Sequence, residues 1–168
     1  MTQPLENLYR SHRQGLYSFA LSITRDPSQA EDAIQNAFIK LVQKPLASLD
    51  GPNGELVAYL FKTVRNSAID LCRTNQRQKR LSEVLFDEPV TNQVESPDEN
   101  LLVKEREQVL KNAIDCLPDK DREAIVLKLY AGLTFEQAGQ IADASPKTIA
   151  TRYRRALGKL EIHLRDQF

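Results

Sequence analysis

The sequence has no tryptophan, and its 168 residues include only two cysteines and two histidines. Cys72 and Cys116 have no Cys or His nearby at ligand spacing, so no metal site is predicted, and we expect both to be small, buried side chains in a reduced protein. His12 and His163 have no Ser, Cys or carboxylate constellation around them, and a glycine-rich phosphate loop is also missing. We therefore expect neither an enzyme nor a cofactor-binding protein.

Long apolar runs are missing as well. No run approaches the ~18 residues of a membrane span, and the first residues lack the apolar core of a signal peptide. We expect a cytoplasmic protein without membrane insertion. An apolar content of 41% with only 7% aromatic residues favours helices packed through Leu, Ile, Val and Ala, so the predicted fold class is all-α.

Charge is unevenly distributed although Lys and Arg (23) balance Asp and Glu (23). Residues 83–100 contain six acids and no Lys or Arg, whereas the segments on both sides are mildly basic. Residues 82–98 also contain Pro89 and Pro97 and little periodicity, which indicates a flexible acidic linker between two small helical domains, 1–81 and 99–168. Its seventeen residues span at most roughly 56–61 Å, enough for the domains to hold separate DNA segments.

Helical spacing of apolar residues predicts five helices in the first 130 residues, at 5–24, 27–43, 55–79, 99–117 and 119–130. Asp26 is the expected N-cap of the second helix, with Gln29 completing a capping-box-like pair. Pro118 separates the fourth helix from the fifth, and Gly132 is the expected C-terminal cap of the fifth.

Residues 134–160 predict a helix-turn-helix. Thr134 and Gln137 have capping-box spacing, and a turn at residues 143–144 precedes Ser145 and Pro146, which suit the cap and first position of a new helix. The core-facing residues of this last helix are predicted to be Ile149, Tyr153, Ala156, Leu157 and Leu160.

The rest of the last helix is strongly basic. Residues 147–165 contain six Lys or Arg and one acid, Glu161. Such a helix suits the major groove, where its first residues reach base edges and later Arg side chains meet phosphates. A solvated basic face is the alternative interpretation. The candidate DNA contacts are Lys147, Thr148, Thr151, Arg152, Arg154 and Arg155.

The third helix carries a second basic face. Basic groups, an Asn and an aromatic ring recur along it: Tyr59, Lys62, Arg65, Asn66 and Arg73. Side chains of this kind can follow a nucleic-acid backbone and stack on unpaired bases. Here too a solvated face remains the alternative.

Three blocks of the sequence resemble, in order, conserved regions 2 and 4 of the sigma-70 family. They are AEDAIQNAFIKL, AYLFKTVRNSAIDLCR and CLPDKDREAIVLKLYAGLTFEQAGQIADASPKTIATRYRRALGKL. Nothing in the chain resembles an N-terminal inhibitory region or a folded region 3, so it is most similar to the short extracytoplasmic-function (ECF) group.

This resemblance implies a promoter-specificity subunit of bacterial RNA polymerase. The second helix would bind the clamp helices of the largest subunit through Asp32, Gln35, Asn36, Phe38 and Ile39. The basic face of the third helix would bind and help to melt the −10 element, and the last helix would read the −35 element. The C-terminal domain would also contact the flap of the second-largest subunit, and an anti-sigma factor is a further candidate partner.

Some positions differ from the family pattern. Tyr59 stands where Trp is common, Asn36 where an acid is common, and Asp143 and Ala144 replace the usual Gly and Ile of the turn. Asp tolerates the left-handed conformation better than most residues, so we expect the turn to be kept.

Two other functions are compatible with parts of the sequence. Residues 133–160 also resemble the output domain of LuxR-type response regulators, which would bind duplex DNA without polymerase. Residues 1–80, however, lack the alternating strands and helices of a receiver domain. An anti-sigma or polymerase-binding adaptor is the other alternative.

Overall fold

The computed structural model describes residues 2–44, 54–82 and 101–166, with side chains described from residue 5 in the first range and from residue 103 in the last. These ranges contain helices and no strands, which confirms the all-α fold class. Within them, no helix is both long and apolar enough to span a bilayer. The helices are α1 (Thr2–Thr24), α2 (Pro27–Val42), α3 (Glu55–Ser82), α4 (Leu101–Asp115), α5 (Asp119–Ile125), α6 (Phe135–Ala142) and α7 (Pro146–Arg165). Apart from Ser82, the predicted linker lies outside the described residues.

The first three helices pack around a core that includes Leu16, Phe19, Leu41, Leu60 and Phe61, all fully buried. The side chain of Asp26 caps α2 as predicted, accepting a hydrogen bond from the Gln29 N–H at 3.0 Å. The reciprocal half of the predicted capping box is wrong. The Asp26 N–H is 3.3 Å from Thr24 Oγ1, so the end of α1 satisfies the donor that Gln29 was expected to satisfy.

The last four helices form the second unit. Its α5 continues as one π-helical turn over residues 126–130, and Gly132 follows with a φ of +66°, consistent with its predicted role as a cap. Two burial predictions are wrong. Leu157 is 39% exposed, because it lies beside the buried stripe of α7, and Cys116 is exposed because it follows the end of α4.

The two units are in contact. The helix α1 packs on the π-helical turn, and α3 packs on α6. Gly15 permits the first contact, since a Cβ at that position would lie 3.0 Å from Ala131 Cα. Arg25 Nη2 also donates to the Asp115 carbonyl at 3.1 Å. The candidate sites below therefore belong to a closed arrangement.

Candidate nucleic-acid and polymerase interfaces

The helices α6 and α7 form the predicted helix-turn-helix. The Gln137 N–H donates to Thr134 Oγ1 at 3.1 Å and the Thr134 N–H to Gln137 Oε1 at 3.0 Å, which completes the capping box. Asp143 ends α6 in the left-handed conformation, with φ 51° and ψ 48°. Ser145 Oγ then accepts from the Thr148 N–H at 3.1 Å and caps α7. Both helix ends are thus fixed by local hydrogen bonds, and so is the angle between the helices.

Gly139 makes the tight turn possible. A Cβ at this position would lie 2.6 Å from the carbonyl oxygen of Ala144, and the Ala144 N–H donates to the Gly139 carbonyl at 3.0 Å. The sequence interpretation did not identify this role. The available signal was a glycine inside an apolar helical pattern, which indicates a packing constraint but does not name the neighbour.

The candidate contacts on α7 lie outside its buried stripe, and two of them border it. Ile149, Ala156 and Leu160 are buried against the other helices. Of the six predicted DNA contacts, Thr148 and Arg152 are half-buried and the others are exposed: Lys147, Thr151, Arg154 and Arg155. The arrangement presents hydroxyl groups and cations together on one helix face, as base-edge and phosphate contacts require.

Arg155 is held by an acid that the sequence interpretation missed. Asp121 of α5 is fully buried, and its carboxylate accepts from Arg155 Nε at 3.0 and 2.9 Å and from Arg155 Nη2. Lys159 Nζ lies 3.1 Å from the same carboxylate. The hydrogen bonds from Arg155, with the one from Lys159, hold the pKa of Asp121 below its usual range. No spacing rule links residues 121 and 155, so only the fold shows that they meet.

The basic face of α3 lies partly between the two units. Lys62 donates to Asp143 at 2.5 Å, and Arg65 donates to Glu123 of α5. The Arg65–Glu123 pair is the more buried, with side chains 23% and 11% exposed. Farther along α3, the side chains of Asn66 and Arg73 are exposed. The structure therefore brings Lys62 and Arg65 against acids of the C-terminal unit and leaves Asn66 and Arg73 at the surface.

Tyr59 has a cation at its ring. The ammonium of Lys44, which follows α2, lies 4.5 Å from the ring centroid, a cation–π distance. A hydrogen bond with Lys44 lowers the pKa of the Tyr59 phenol, and burial opposes this shift. The ring is half-buried, and Lys44 is exposed. Lys44 thus covers one face of the ring, and a base that stacks on Tyr59 would use the other face or displace the ammonium.

The polar face of α2 is accessible. Asp32, Gln35 and Asn36 are exposed, and Ile39 is 57% exposed although it is apolar. Phe38 is half-buried and packs edge-to-face against Tyr9 of α1, with ring centroids 5.4 Å apart.

Beside this face, an open groove of about 980 Å³ runs between α1 and α2. Its lining includes Tyr9, Ile34, Gln35, Phe38 and Val42. Exposed apolar side chains next to such a groove are typical of a protein-binding surface.

Comparison with known proteins identifies both units. Residues 8–78 match the family model described as Sigma-70 region 2, and residues 107–160 match Sigma-70, region 4. The chain is 30% identical over 159 residues to the ECF RNA polymerase sigma factor SigM of Bacillus subtilis (strain 168), covering 93% of this chain and 94% of that protein. It is also 30% identical over 161 residues to the ECF RNA polymerase sigma factor SigK of Mycobacterium sp. (strain KMS), covering 92% and 79%.

Solved structures give the same result. The sigma factor RpoE of Bartonella quintana, solved with the anti-sigma factor NepR, matches with a TM-score of 0.73 and 26% identity over 98% of both chains. CnrH, solved with the cytosolic domain of CnrY, shares the fold with a TM-score of 0.65 at 21% identity. The LuxR-type alternative is not supported, because the N-terminal unit also matches a sigma-70 region.

Proposed function

The chain belongs to the ECF group of the sigma-70 family, and from this premise we propose which of its residues carry out the function of a sigma factor. It binds core RNA polymerase and directs initiation at promoters through their −10 and −35 elements. Its family acts in initiation without catalysis, and we assign no chemistry to this chain. It would act in the cytoplasm, as residues 1–81 and 99–168 joined by the linker 82–98.

The −35 element is read by α7. The observation that supports this role is the face of α7 outside its buried stripe, where Lys147, Thr148, Thr151 and Arg152 occupy the first two turns after a capped start. In a helix-turn-helix the first turns of the second helix reach base edges. Arg154 and Arg155 lie one turn later and contact phosphates, which adds affinity without sequence information.

The −10 element is bound by α3. Tyr59 stacks on an unpaired base, and Asn66 hydrogen-bonds a base edge or sugar, while the cations Lys62, Arg65 and Arg73 follow the backbone. Because Lys44 covers one face of the Tyr59 ring, the base uses the other face or displaces the ammonium. Exposed Asn66 and Arg73 support this role, since the closed arrangement leaves them accessible.

The two DNA-binding faces must separate before both elements can be bound. Lys62 lies 2.5 Å from Asp143, directly before the recognition helix. The two elements, roughly 25 base pairs apart, are about 85 Å apart along a duplex at 3.4 Å per base pair. The ion pairs of Lys62 and Arg65 therefore break when the promoter is engaged, and phosphates replace the carboxylates.

Polymerase is bound through α2. Asp32, Gln35 and Asn36 supply polar contacts to the clamp helices of the largest subunit, and Phe38 with exposed Ile39 supplies the apolar part. Fully desolvated apolar anchors carry most of the energy of such interfaces. The C-terminal unit rests on the flap of the second-largest subunit, and an anti-sigma factor competes for these surfaces.

The test is in vitro transcription with core RNA polymerase lacking its own sigma subunit and a genomic promoter library. The full chain is expected to start transcripts at a small set of promoters that share two sequence elements. Arg152→Ala should weaken initiation at promoters that depend on the −35 element and should leave core binding intact. Failure of the chain to bind core enzyme, or to start RNA at any site, would contradict the proposed function.

A further inference from the structure

The carboxylate of Asp121 is buried beneath the DNA-binding side of α7. Its side chain is fully inaccessible, and in the described part of the chain the cations that reach it are Arg155 and Lys159. These two side chains are themselves 54% and 44% exposed. The acid thus lies on the inner side of the pair, and the cations extend from it to the surface.

The geometry at Arg155 leaves one edge of the guanidinium free. Nε and Nη2 face the two carboxylate oxygens of Asp121, whereas Nη1 donates to no atom in the described part of the chain. A guanidinium is planar, so fixing one edge fixes the direction of the other. The Nη1 donors are therefore aimed at one point outside α7 before any ligand arrives.

The position of Arg155 along α7 identifies the ligand. It is the tenth residue of the helix, about 14 Å beyond the helix start at 1.5 Å per residue. Base edges are reached by the first turns of a recognition helix, and cations farther along meet the phosphates that flank the groove. Lys159, one turn later on the same side, meets the same strand.

We propose that Asp121 is a positioning residue for DNA binding, which orients Arg155 and Lys159 so that both contact backbone phosphates beside the −35 element. The inference rests on the proposed function of α7. Asp121 itself touches no DNA. Because Asp121 holds Arg155 and Lys159, these two long side chains lose conformational entropy when the protein folds. The entropy cost of ordering them is therefore not incurred when DNA binds.

One substitution separates positioning from simple electrostatics. Asp121→Asn keeps the shape of the side chain and removes one negative charge near the DNA. If Asp121 acted only through its charge, the variant would bind DNA more tightly, because repulsion of the phosphates decreases. Positioning predicts weaker binding, by about two- to tenfold for one long side chain that must be ordered.

The experiment measures promoter affinity of the holoenzyme, assembled from core polymerase and the full chain. The DNA is a promoter recovered in the transcription assay, with single phosphates around the −35 element replaced by neutral methylphosphonates. Wild type is expected to lose affinity at one or two phosphates. Holoenzyme with Arg155→Ala should bind the promoter about tenfold or more weakly, as for a lost charged hydrogen bond. At one of these positions the methylphosphonate should no longer lower its affinity.

With Asp121→Asn, the methylphosphonate at the same phosphate is also expected to have no effect on promoter affinity. Affinity for core polymerase should be unchanged. In the Arg155→Ala background Asp121→Asn should have a much smaller effect than in wild type, because the two residues act together. The matched control is Glu161→Gln, which removes one negative charge from α7 itself. Glu161 pairs with Arg165 at 2.6 Å, away from Asp121, so its loss should leave the phosphate pattern unchanged.

A direct measurement on the unmodified chain covers the case in which Asp121→Asn fails to fold. The side-chain Nε–H of Arg155 should be more ordered in NMR relaxation than that of exposed Arg154. Equal mobility of the two would overturn the inference, and so would an Asp121→Asn variant that binds as tightly as wild type with the same phosphate pattern. If Arg155→Ala binds promoter DNA as tightly as wild type and loses affinity at the same methylphosphonates, the assignment of Arg155 within the proposed function is contradicted.

Discussion

Lys62 of α3 and Asp143 of the helix-turn-helix form an ion pair, with Nζ 2.5 Å from Oδ1. Their side chains are 39% and 68% exposed, so dissolved salt screens the attraction. The hydrogen bond from Lys62 lowers the pKa of the Asp143 carboxyl. Asp143 thus has two roles in the closed arrangement, since it also takes the left-handed conformation that ends α6.

Asp143→Asn should separate these two roles. Asn tolerates the left-handed conformation as well as Asp does, so the turn should persist while the ion pair is lost. The two units should then separate at a lower salt concentration than in wild type. Small-angle scattering would show this separation as an increase in the radius of gyration. Glu136→Gln, which removes an exposed acid from α6, is the control. A salt dependence unchanged from wild type would show that the pair does not hold the units together.

A disulfide between α1 and residue 131 should lock the units together. A Cβ at Gly15 would lie 3.0 Å from Ala131 Cα and 3.3 Å from Ala131 Cβ, so the neighbouring backbone must shift by a few tenths of an ångström. That shift brings the two Cβ atoms into the ~3.5–4.5 Å range of a disulfide. We expect oxidised Gly15→Cys/Ala131→Cys, with Cys72 and Cys116 changed to Ser, to lose initiation, and a reductant to restore it. Each single cysteine variant should be insensitive to oxidation. Full activity of the cross-linked chain would mean that initiation does not need separation.

Gly139→Ala should disrupt the helix-turn-helix. The new methyl group would lie 2.6 Å from the Ala144 carbonyl, so the turn must shift. We expect a loss of about 1–3 kcal/mol in the free energy of unfolding, as for overpacking, together with weaker −35 binding. Gly158→Ala is the matched control. A Cβ at Gly158 would meet no atom within 4 Å beyond its own stretch of helix, so this change should stabilise α7 by about 0.5–1 kcal/mol. Urea unfolding of both variants measures the contrast, and equal effects would contradict it.

Ile39→Ser should weaken polymerase binding without affecting the fold. Ile39 is 57% exposed on α2, so its removal leaves no internal cavity. We expect about tenfold weaker binding to core polymerase, as for loss of an interface anchor worth more than 1 kcal/mol. Leu81→Ser, at an apolar side chain 73% exposed near the end of α3, should bind normally. Titration of labelled core enzyme would measure both affinities, and normal binding by Ile39→Ser would remove this residue from the interface.

Acid should remove the stability that Asp121 contributes. Its pKa is lowered in the folded chain by Arg155 and Lys159, whereas the unfolded value is about 3.9. The contribution is therefore fully present above the unfolded pKa and is lost as pH falls through the lower, folded pKa. The difference in free energy of unfolding between wild type and Asp121→Asn should be constant near neutral pH and shrink in strong acid. If the difference in free energy of unfolding stays constant even in strong acid, the ion pair does not contribute this stability.

Local signals in the sequence were sufficient for the helix ends. The capping box of Thr134 and Gln137, and the restart at Ser145 and Pro146, depend on residues at most three positions apart, so spacing alone predicts them. The capping-box prediction at Gln29 was wrong for a related reason. Thr24, in the preceding helix, satisfies the Asp26 N–H first. Local rules succeed when no neighbouring group competes for the same donor.

The residues assigned to polymerase, −10 and −35 binding remain predictions, but the structure adds information about each set. It shows that Ile39 is exposed, that Lys62 and Arg65 meet acids of the other unit, and that Arg155 is held by Asp121. The burial predicted for Leu157 failed because periodicity defines a helix face only to within one residue. The burial predicted for Cys116 from its residue type failed because this residue follows the end of α4.

The sequence by itself determined the helices, the helix-turn-helix and the family, because caps, apolar periodicity and motif order are properties of neighbouring residues. Only the tertiary structure decided which charges meet. Asp121 and Arg155 are 34 positions apart, and Lys62 and Asp143 are 81 apart. Their partnership follows from how α5 packs on α7 and α3 on α6. An ion pair between distant residues depends on that packing and leaves no periodic trace along the chain.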